Sequence, residues 1–345
     1  MELGLHSFAE VPPDGGDPAR LRHLVEEIVL ADEVGLDWFG VGEHHRADYA
    51  ASAPYVILAA AAARTNTIRL SSAVTVLSSD DPVRVFQDVA TLDLLSEGRA
   101  ELMVGRGSFT ESFPLFGYDL RDYDTLFAEK LDLLLQIRQS ERVTWRGRLR
   151  APLVDQPVYP RPLQDPLPVW IAVGGTPASV VRAGRLGLPL ALAIIGGPPA
   201  RFQPFVDLYR QAGAEAGHDP ASLKVSINGH GFVGESREAA LATVAEPFMA
   251  TMTRIGRERG WPPQGRARFE AEADLEGALV LGSPQEVIDK ILYQHELFGH
   301  DRHVLQMTVG PIPHADVLRA IERFGTEVAP VVRKEVAART TATPI

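Results

Sequence analysis

An acid and two imidazoles stand together early in the sequence, in the segment WFGVGEHHRADY at residues 38–49. Glu43, His44 and His45 follow a run of apolar residues and glycines that is typical of a buried strand. A strand end needs only a turn residue, so this cluster indicates either a solvated loop or the rim of a functional site. Because imidazole titrates near neutral pH, His44 is a candidate general base.

The same cluster allows two other interpretations. Neighbouring side chains of a strand point to opposite faces, so only Glu43 and His45 share a side, and His44 cannot join them without distortion. No third ligand is close in sequence, so we predict no metal site. A zinc hydrolase built on Glu43 and His45 is one alternative, and an imidazole that merely satisfies a buried partner is the other.

A second cluster, Gly174-Gly175-Thr176-Pro177, follows the apolar run PVWIAV. Thr176 can cap a helix, and Pro177 suits the first helical position. The glycines leave backbone amides accessible at the positive end of that helix, where phosphate binds readily. Arg106, flanked by two glycines, can clamp the same phosphate with two hydrogen bonds. We therefore predict a phosphate site, with a plain tight turn as the alternative. The pattern is not the G-x-G-x-x-G fingerprint, so it does not predict NAD bound to a Rossmann fold.

The third feature is a run of small residues in the predicted strand IRLSSAVTVL. Ser71, Ser72 and Ala73 would leave space inside a barrel that a flat ring could fill. They would equally allow close packing against a bulky neighbour such as Trp38 or Met103. The residues alone leave both alternatives open.

These clusters must be positioned by the elements around them, and the chain alternates short apolar or β-branched runs with stretches of helical period. Asp81-Pro82 and Ser283-Pro284-Gln285-Glu286 are typical of helix starts. The eight predicted strands are Leu3–Phe8, Trp38–Gly42, Ile68–Leu77, Ala100–Val104, Pro168–Val173, Leu190–Ile195, Lys224–Val233 and Val304–Val309.

Eight strands, each followed by a helix, predict an α/β fold of the (β/α)8 TIM barrel type, since doubly wound sheets usually stop at about five to seven strands. Active sites of barrels lie at the carboxyl ends of the strands, so the clusters described above would share one face. Glu141–Leu167, with five prolines, and the polar segment Trp261–Gly277 break the alternation and are predicted insertions after helix four and before the last βα unit. We expect one barrel domain over residues 1–335 and a disordered tail over residues 336–345.

The composition narrows the class of protein further. The formal net charge of −11 argues against a nucleic acid or an anionic membrane as partner, because both require a basic face. The absence of cysteine excludes disulfides, thiolate metal sites and a cysteine nucleophile. The first residues show no basic segment followed by an apolar run, so we expect no signal peptide and a cytoplasmic location.

Taken in order, several motifs give the chain a resemblance, over nearly its whole length, to the bacterial luciferase-like flavin-dependent monooxygenases. The Glu-His-His cluster resembles the FMN branch of that family more than the branch that uses the deazaflavin F420. The motifs are ADEVGLD at 31–37, VGEHH at 41–45, IRLSSAVTVLSSDDP at 68–82, ATLDLLSEGR at 90–99, GRG at 105–107 and PVWIAVGGTPASVVRAGRLGLP at 168–189.

The resemblance implies roles for particular residues. Ala73-Val74 corresponds to a bulge in the third strand, often with a non-proline cis peptide, against which the flavin ring stacks. Arg106 corresponds to the arginine that holds the FMN phosphate. His44 corresponds to the acid/base residue near the reactive edge of the flavin, and its neighbour Glu43 is expected to contribute to cofactor binding.

The other half of the phosphate site is implied by the loop after the fifth strand, where Gly174, Gly175, Thr176 and Ser179 match the backbone and hydroxyl groups of the family. Gly105 stands where luciferases carry a reactive cysteine, and glycines stand where they carry an acidic residue and a serine. The resemblance therefore implies neither light emission nor an aldehyde substrate.

As a whole, the resemblance implies an FMN-dependent monooxygenase that uses reduced FMN and O2 to oxygenate a small organic substrate. It also implies a dimer, for which we expect a homodimer, and a separate NAD(P)H:flavin reductase that supplies the reduced FMN. Two alternatives stay open: an F420-dependent hydride-transfer oxidoreductase, and a flavin-binding protein without catalytic activity.

Five further residues are candidates for the walls of the site. His6 and His230 each line the pocket or are satisfied core histidines. Phe109, Phe113 and Phe116, after the fourth strand, either form an apolar substrate wall or pack the loop.

Overall fold

The computed structural model describes residues 1–12 and 18–342. The strands are, in chain order, β1 (Glu2–Ser7), β2 (Trp38–Val41), β3 (Arg69–Ser72), β4 (Thr75–Val76), β5 (Ala100–Gly105), β6 (Arg142–Trp145), β7 (Leu153–Pro157), β8 (Val169–Val173), β9 (Leu190–Ile194), β10 (Val225–Val233), β11 (Val280–Gly282) and β12 (Arg302–Gln306). The helices are α1 (Arg20–Glu33), α2 (Pro54–Ala62), α3 (Pro82–Leu95), α4 (Ser112–Leu115), α5 (Tyr123–Gln139), α6 (Pro177–Arg185), α7 (Gln203–Glu215), α8 (Arg237–Arg259), α9 (Arg266–Glu272), α10 (Pro284–Phe298), α11 (His314–Arg323) and α12 (Ala329–Ala342).

Eight parallel strands close into a barrel in the order β1, β2, β3, β5, β8, β9, β10, β12, and β12 pairs back with β1. Helices connect successive strands, so the predicted (β/α)8 barrel is confirmed. The predicted helix starts are also present. The Asp81 carboxylate accepts hydrogen bonds from the amides of Val83 and Arg84, and Ser283 forms a capping box with Glu286.

The third strand departs from the prediction of a continuous strand over Ile68–Leu77. β3 ends at Ser72, the peptide bond between Ala73 and Val74 is cis, and β4 resumes beside β5 with Thr75 opposite Val104. The bulge implied by the family resemblance is therefore present at the expected residues. The last barrel strand was also misplaced: β12 covers Arg302–Gln306 rather than Val304–Val309.

The barrel interior is filled at the amino ends of the strands. The Arg302 guanidinium donates hydrogen bonds to the Glu101 carboxylate at 2.8 and 3.1 Å, and the Trp38 indole donates to the same carboxylate at 3.0 Å. Arg302 also lies over the Trp170 ring, 4.4 Å from its centroid. The buried charges of Arg302 and Glu101 are paired with each other, and their side chains fill the barrel at the amino end together with the two tryptophans. A ligand must therefore enter from the carboxyl ends.

Both predicted insertions are present. The first contains an antiparallel hairpin of β6 and β7, and the second contains the short helix α9, which the sequence did not predict. Strand β11 follows it and pairs with the end of β10, outside the eight barrel strands.

The predicted disordered tail over residues 336–345 is wrong for residues 336–342. Helix α12 continues to Ala342, and the Val336 side chain is buried. Residues 343–345 lie outside the described residues. In the described ranges, no helix combines the length and the apolar content that crossing a membrane would require.

Candidate active site

A cavity of about 380 Å³ lies at the carboxyl ends of the barrel strands. Eight of the nine residues predicted from the sequence line it, and Gly175 is the exception. The eight are Glu43, His44, Ala73, Val74, Arg106, Gly174, Thr176 and Ser179. The structure thus brings together clusters that are up to 136 residues apart in the chain, between Glu43 and Ser179 (179 − 43).

Glu43 is buried beneath the cavity surface and has two hydrogen-bond partners. One carboxylate oxygen lies 2.9 Å from Nε2 of His45, and the other accepts a 2.9 Å hydrogen bond from the backbone amide of Val76. Glu43 and His45 share a side, as strand geometry predicts, but they bind each other. Within residues 1–12 and 18–342, no group of three potential ligands is placed to hold a metal ion.

His44 lies in an aromatic environment. Its ring stacks on Tyr49 with centroids 4.4 Å apart, and Phe8 and Phe109 contact it edge-on at 4.4 and 5.0 Å. Burial among these rings lowers the pKa of His44 to about 3, because the charged imidazolium would lose its hydration. The imidazole is therefore neutral at physiological pH.

Arg106 extends from the end of β5 toward the start of α6. Its guanidinium donates hydrogen bonds to Asp124 at 2.6 Å and to the Thr176 hydroxyl at 3.0 Å, and it lies over the Tyr123 ring. Since Asp124 is largely exposed, an anionic ligand with better geometry can replace it as the partner of Arg106.

The start of α6 differs from the sequence prediction in one respect. Thr176 occupies the N-cap position, but its side chain caps no amide of the helix and points instead to Arg106. A Cβ atom at Gly174 would meet nothing within 4 Å, so the backbone there borders open space. Gly175 has a φ of +107°, a conformation that favours glycine. The loop is thus a glycine turn that leaves the positive helix end accessible.

Of the two alternatives for the small residues of the third strand, close packing is confirmed at Ala73. Ala73 packs with Trp38 and Met103 in the interior cluster of the barrel, and it also lines the cavity. Ser71 and Ser72 lie deeper, are fully buried and do not line the cavity. Ala73 and Val74 therefore form the floor of the cavity toward the barrel interior.

His6 and His230, whose roles the sequence left undecided, both line the cavity, as does one of the three candidate phenylalanines. Burial lowers the pKa of His6 to about 3 and that of His230 to about 4, and neighbouring imidazoles contribute at His6. Phe109 is part of the wall. Neither Phe113 nor Phe116 lines the cavity: Phe113 is buried, and Phe116 is half exposed and contacts the His45 ring edge-on at 5.0 Å.

Several lining residues escaped the sequence analysis. Glu10 and Tyr49 face the cavity from the segments after β1 and β2, and Met252 and Ile255 reach it from α8. Glu10 follows the first strand, so the rule that barrel sites lie at strand ends would have found it. No comparable signal marks the two residues of α8, because their segment has an ordinary helical pattern.

A network of ion pairs joins the two sides of the cavity mouth. Arg46, next to the histidine pair, binds Glu258 of α8 at 2.6 Å and also binds Glu111. Asp48 pairs with Arg254 of the same helix. The carboxyl-terminal half of α8 is thereby held over the residues that follow β2.

The chain belongs to the family described as luciferase-like monooxygenase, whose model matches residues 1–301. It is 29% identical over 337 residues to the 4-hydroxyprotoasukamycin monooxygenase of Streptomyces nodosus subsp. asukaensis, with 92% of this chain and 89% of that protein covered. The crystal structure of the monooxygenase RslO1 from Streptomyces bottropensis is similar with a TM-score of 0.84 and 25% identity, covering 96% of this chain and 99% of that one.

A shorter match extends to another kind of oxidoreductase. The chain is 35% identical over 177 residues to the F420-dependent glucose-6-phosphate dehydrogenase of Amycolatopsis mediterranei, with 48% of this chain and 51% of that protein covered. The family thus contains oxidoreductases that are mostly monooxygenases, together with F420-dependent dehydrogenases.

Proposed function

We propose that the protein is a flavin-dependent monooxygenase, which uses reduced FMN and O2 to oxygenate a small organic substrate. The observation that carries this proposal is that the hydrogen-bonded pair of Arg106 and Thr176 lines the same cavity as the neutral imidazole of His44. A candidate phosphate site and the proposed acid/base residue thereby border one space.

The residues present fit the phosphate end of FMN. Arg106 supplies a guanidinium fork, which suits phosphate oxygens. Thr176 and Ser179 supply hydroxyl groups, and Gly174 supplies a backbone with open space beside it. The start of α6 adds the positive end of the helix dipole. The isoalloxazine ring would then lie against Ala73-Val74.

When bound, reduced FMN supplies the electrons with which O2 is activated. The chain contributes the environment. As the proposed acid/base residue, His44 presents a neutral ring nitrogen, because its burial keeps the imidazole uncharged. Phe8 and Phe109 exclude water from that end of the cavity, which protects a reactive species from hydrolysis. Glu43 fixes the segment that follows the cis peptide.

Titration with FMN and with riboflavin, which lacks the phosphate, tests the proposal. The reduced flavins are titrated anaerobically into the protein and into the variant Arg106→Ala. We expect the variant to bind FMN roughly ten- to hundred-fold more weakly, as the loss of charged hydrogen bonds implies, and to bind riboflavin as before. Arg121→Ala, which removes an exposed arginine outside the cavity, is the matched control. A protein that binds no reduced FMN, or an FMN affinity unchanged in Arg106→Ala, would refute the proposal.

F420 is the second candidate cofactor, because the 35% identical relative uses it and because F420 also carries a phosphate. Parallel titration with FMN and F420 distinguishes the two, and a preference for F420 would replace monooxygenation by hydride transfer. Tight FMN binding without substrate-dependent oxygen consumption would instead identify a non-catalytic flavin-binding protein.

We also propose that a separate NAD(P)H:flavin reductase supplies the reduced FMN and that the chain forms a homodimer. The family resemblance supports both. Oxygen consumption that requires an added reductase, and a mass of twice the chain in sedimentation, are the expected results.

A further inference from the structure

Glu10 is a buried acid at the cavity whose role the proposed function does not explain. It follows β1, its side chain is about 5% exposed, and it lines the cavity. The amide of Gln306 donates to one carboxylate oxygen at 2.7 Å, and the hydroxyl of Thr308 donates to the other at 2.6 Å. Two donors at the carboxyl end of β12, one on each carboxylate oxygen, therefore hold the carboxyl group in a fixed orientation.

In residues 1–12 and 18–342, no cation forms an ion pair with Glu10. The closest candidate, Arg20, binds the Ser7 hydroxyl at 3.0 Å and pairs with Glu27 at 2.8 Å. The Ser7 hydroxyl in turn lies 3.3 Å from that of Thr308. Burial removes the hydration of the charged carboxylate, and no ion pair compensates for that loss. Burial therefore raises the pKa of Glu10 to about 7. A carboxylate can accept about four hydrogen bonds, so each oxygen of Glu10 retains room for another donor.

The walls beside Glu10 are apolar and aromatic. The backbones of Glu10 and Tyr49 form an isolated antiparallel bridge. The ring centroids of Phe8 and Phe109 lie 6.0 and 6.1 Å from that of Tyr49. His6 on β1 and His230 on β10, the two strands that flank β12, line the same cavity, and in the described part of the chain neither Nδ1 atom has a hydrogen-bond partner. Both imidazoles are neutral, and the guanidinium of Arg259, which also lines the cavity, lies over the Phe109 ring at 4.9 Å.

We propose that Glu10 is a substrate-binding residue, which accepts a hydrogen bond from a hydroxyl or amino group on an otherwise apolar organic molecule. This inference rests on the proposed function, since it names the class of substrate for the same cavity. The donor group lies against Glu10, and the apolar part lies against Phe8, Tyr49 and Phe109. A substrate carboxylate is disfavoured at Glu10 itself, because no cation within the described residues pairs with this acid.

Four probes with one ring test the proposal: benzyl alcohol, benzylamine, toluene and benzoate. Binding is measured by ligand-detected NMR with and without FMN, so it does not depend on turnover. We expect benzyl alcohol or benzylamine to bind about ten-fold more tightly than toluene and benzoate. In Glu10→Gln, which keeps one accepting oxygen but removes the charge, that preference falls, and a larger loss for benzylamine than for benzyl alcohol would identify an amine as the donor.

Glu238→Gln removes the same charge from an exposed position at the start of α8 and should leave every affinity unchanged. Glu10→Asp is the second variant, for use if Glu10→Gln does not fold. It keeps the carboxylate but moves it away from the cavity by one methylene group, so the preference should fall partially. Equal affinity for all four probes, no binding of any of them, or a preference that persists in Glu10→Gln would overturn the inference. Because FMN affinity is measured separately, these results are distinguishable from failure of the proposed function.

Discussion

The Glu43 carboxylate accepts a 2.9 Å hydrogen bond from the backbone amide of Val76, which ties the end of β2 to the short strand β4. The tie lies directly after the Ala73-Val74 segment that forms the cavity floor. His45 binds the second carboxylate oxygen, so Glu43 is fixed from both sides. Glu43 therefore positions the floor of the cavity. The ring of His44, by contrast, belongs to the aromatic wall formed with Phe8, Tyr49 and Phe109.

Replacement of Glu43 by alanine should destabilise the protein and weaken FMN binding together. The amide of Val76 would be left buried without a partner, which costs about 1–3 kcal/mol, and the floor would lose its support. Urea unfolding and FMN titration measure the two effects. Glu43→Gln keeps an oxygen for Val76 and is the matched control, with most of the stability retained. An alanine variant of normal stability and normal FMN affinity would contradict the positioning role.

Substitutions at Thr176 should separate its hydroxyl from its shape. Thr176→Val removes the group that receives the hydrogen bond from Arg106, so we expect FMN affinity to fall by about three- to ten-fold. Thr176→Ser keeps the hydroxyl and should bind FMN nearly as well as the native protein. Since the side chain caps no amide of α6, neither change should lower the melting temperature appreciably. A large stability loss in the valine variant would show that the hydroxyl matters for folding instead.

The barrel and the clusters at its strand ends could be predicted from the sequence, whereas the break in the third strand and the contribution of α8 to the cavity could not be predicted from local patterns. Glycine turns and the Glu-His-His cluster follow strands directly, so strand periodicity was sufficient to place them on one face. The break in the third strand was implied by family resemblance and not by periodicity, since IRLSSAVTVL reads as one continuous strand. Met252 and Ile255 were missed because α8 reaches the cavity through the ion pairs of Arg46 and Arg254, and such long-range contacts leave no local pattern.

Buried imidazoles predict a loss of stability in acid. Burial lowers the pKa of His6, His44 and His303 to about 3 and that of His230 to about 4. Between those values and about 6.5, the unfolded chain binds more protons than the native protein, so stability falls as the pH falls. Each group contributes a slope of about 1.4 kcal/mol per pH unit in that window.

The free energy of unfolding, measured by urea denaturation from pH 7 to pH 5, should therefore decrease steeply. Glu10 acts in the opposite direction, because its raised pKa makes the native protein gain stability as the pH falls from about 7 toward 4.5. His303→Phe removes one buried imidazole that does not line the cavity. The slope of the free energy of unfolding against pH should then fall by the contribution of one titrating group, about 1.4 kcal/mol per pH unit. An identical pH dependence in that variant would show that His303 does not titrate as its burial implies.

Two glycines, Gly40 in the barrel interior and Gly174 at the cavity, should respond differently to alanine. At Gly40 a Cβ atom would lie 2.4 Å from the Trp38 ring and 2.6 Å from Cβ of Ala73, and the Trp38 indole is held by Glu101 at 3.0 Å. Gly40→Ala should therefore lower the free energy of unfolding by about 1–3 kcal/mol, as overpacking of a core does. At Gly174 the added methyl group meets no atom of the protein, so Gly174→Ala should unfold like the native chain yet bind FMN more weakly, because the methyl group occupies the space left for phosphate. Urea denaturation and FMN titration of both variants check the contrast, and a Gly174→Ala variant with unchanged FMN affinity would remove this loop from the phosphate site.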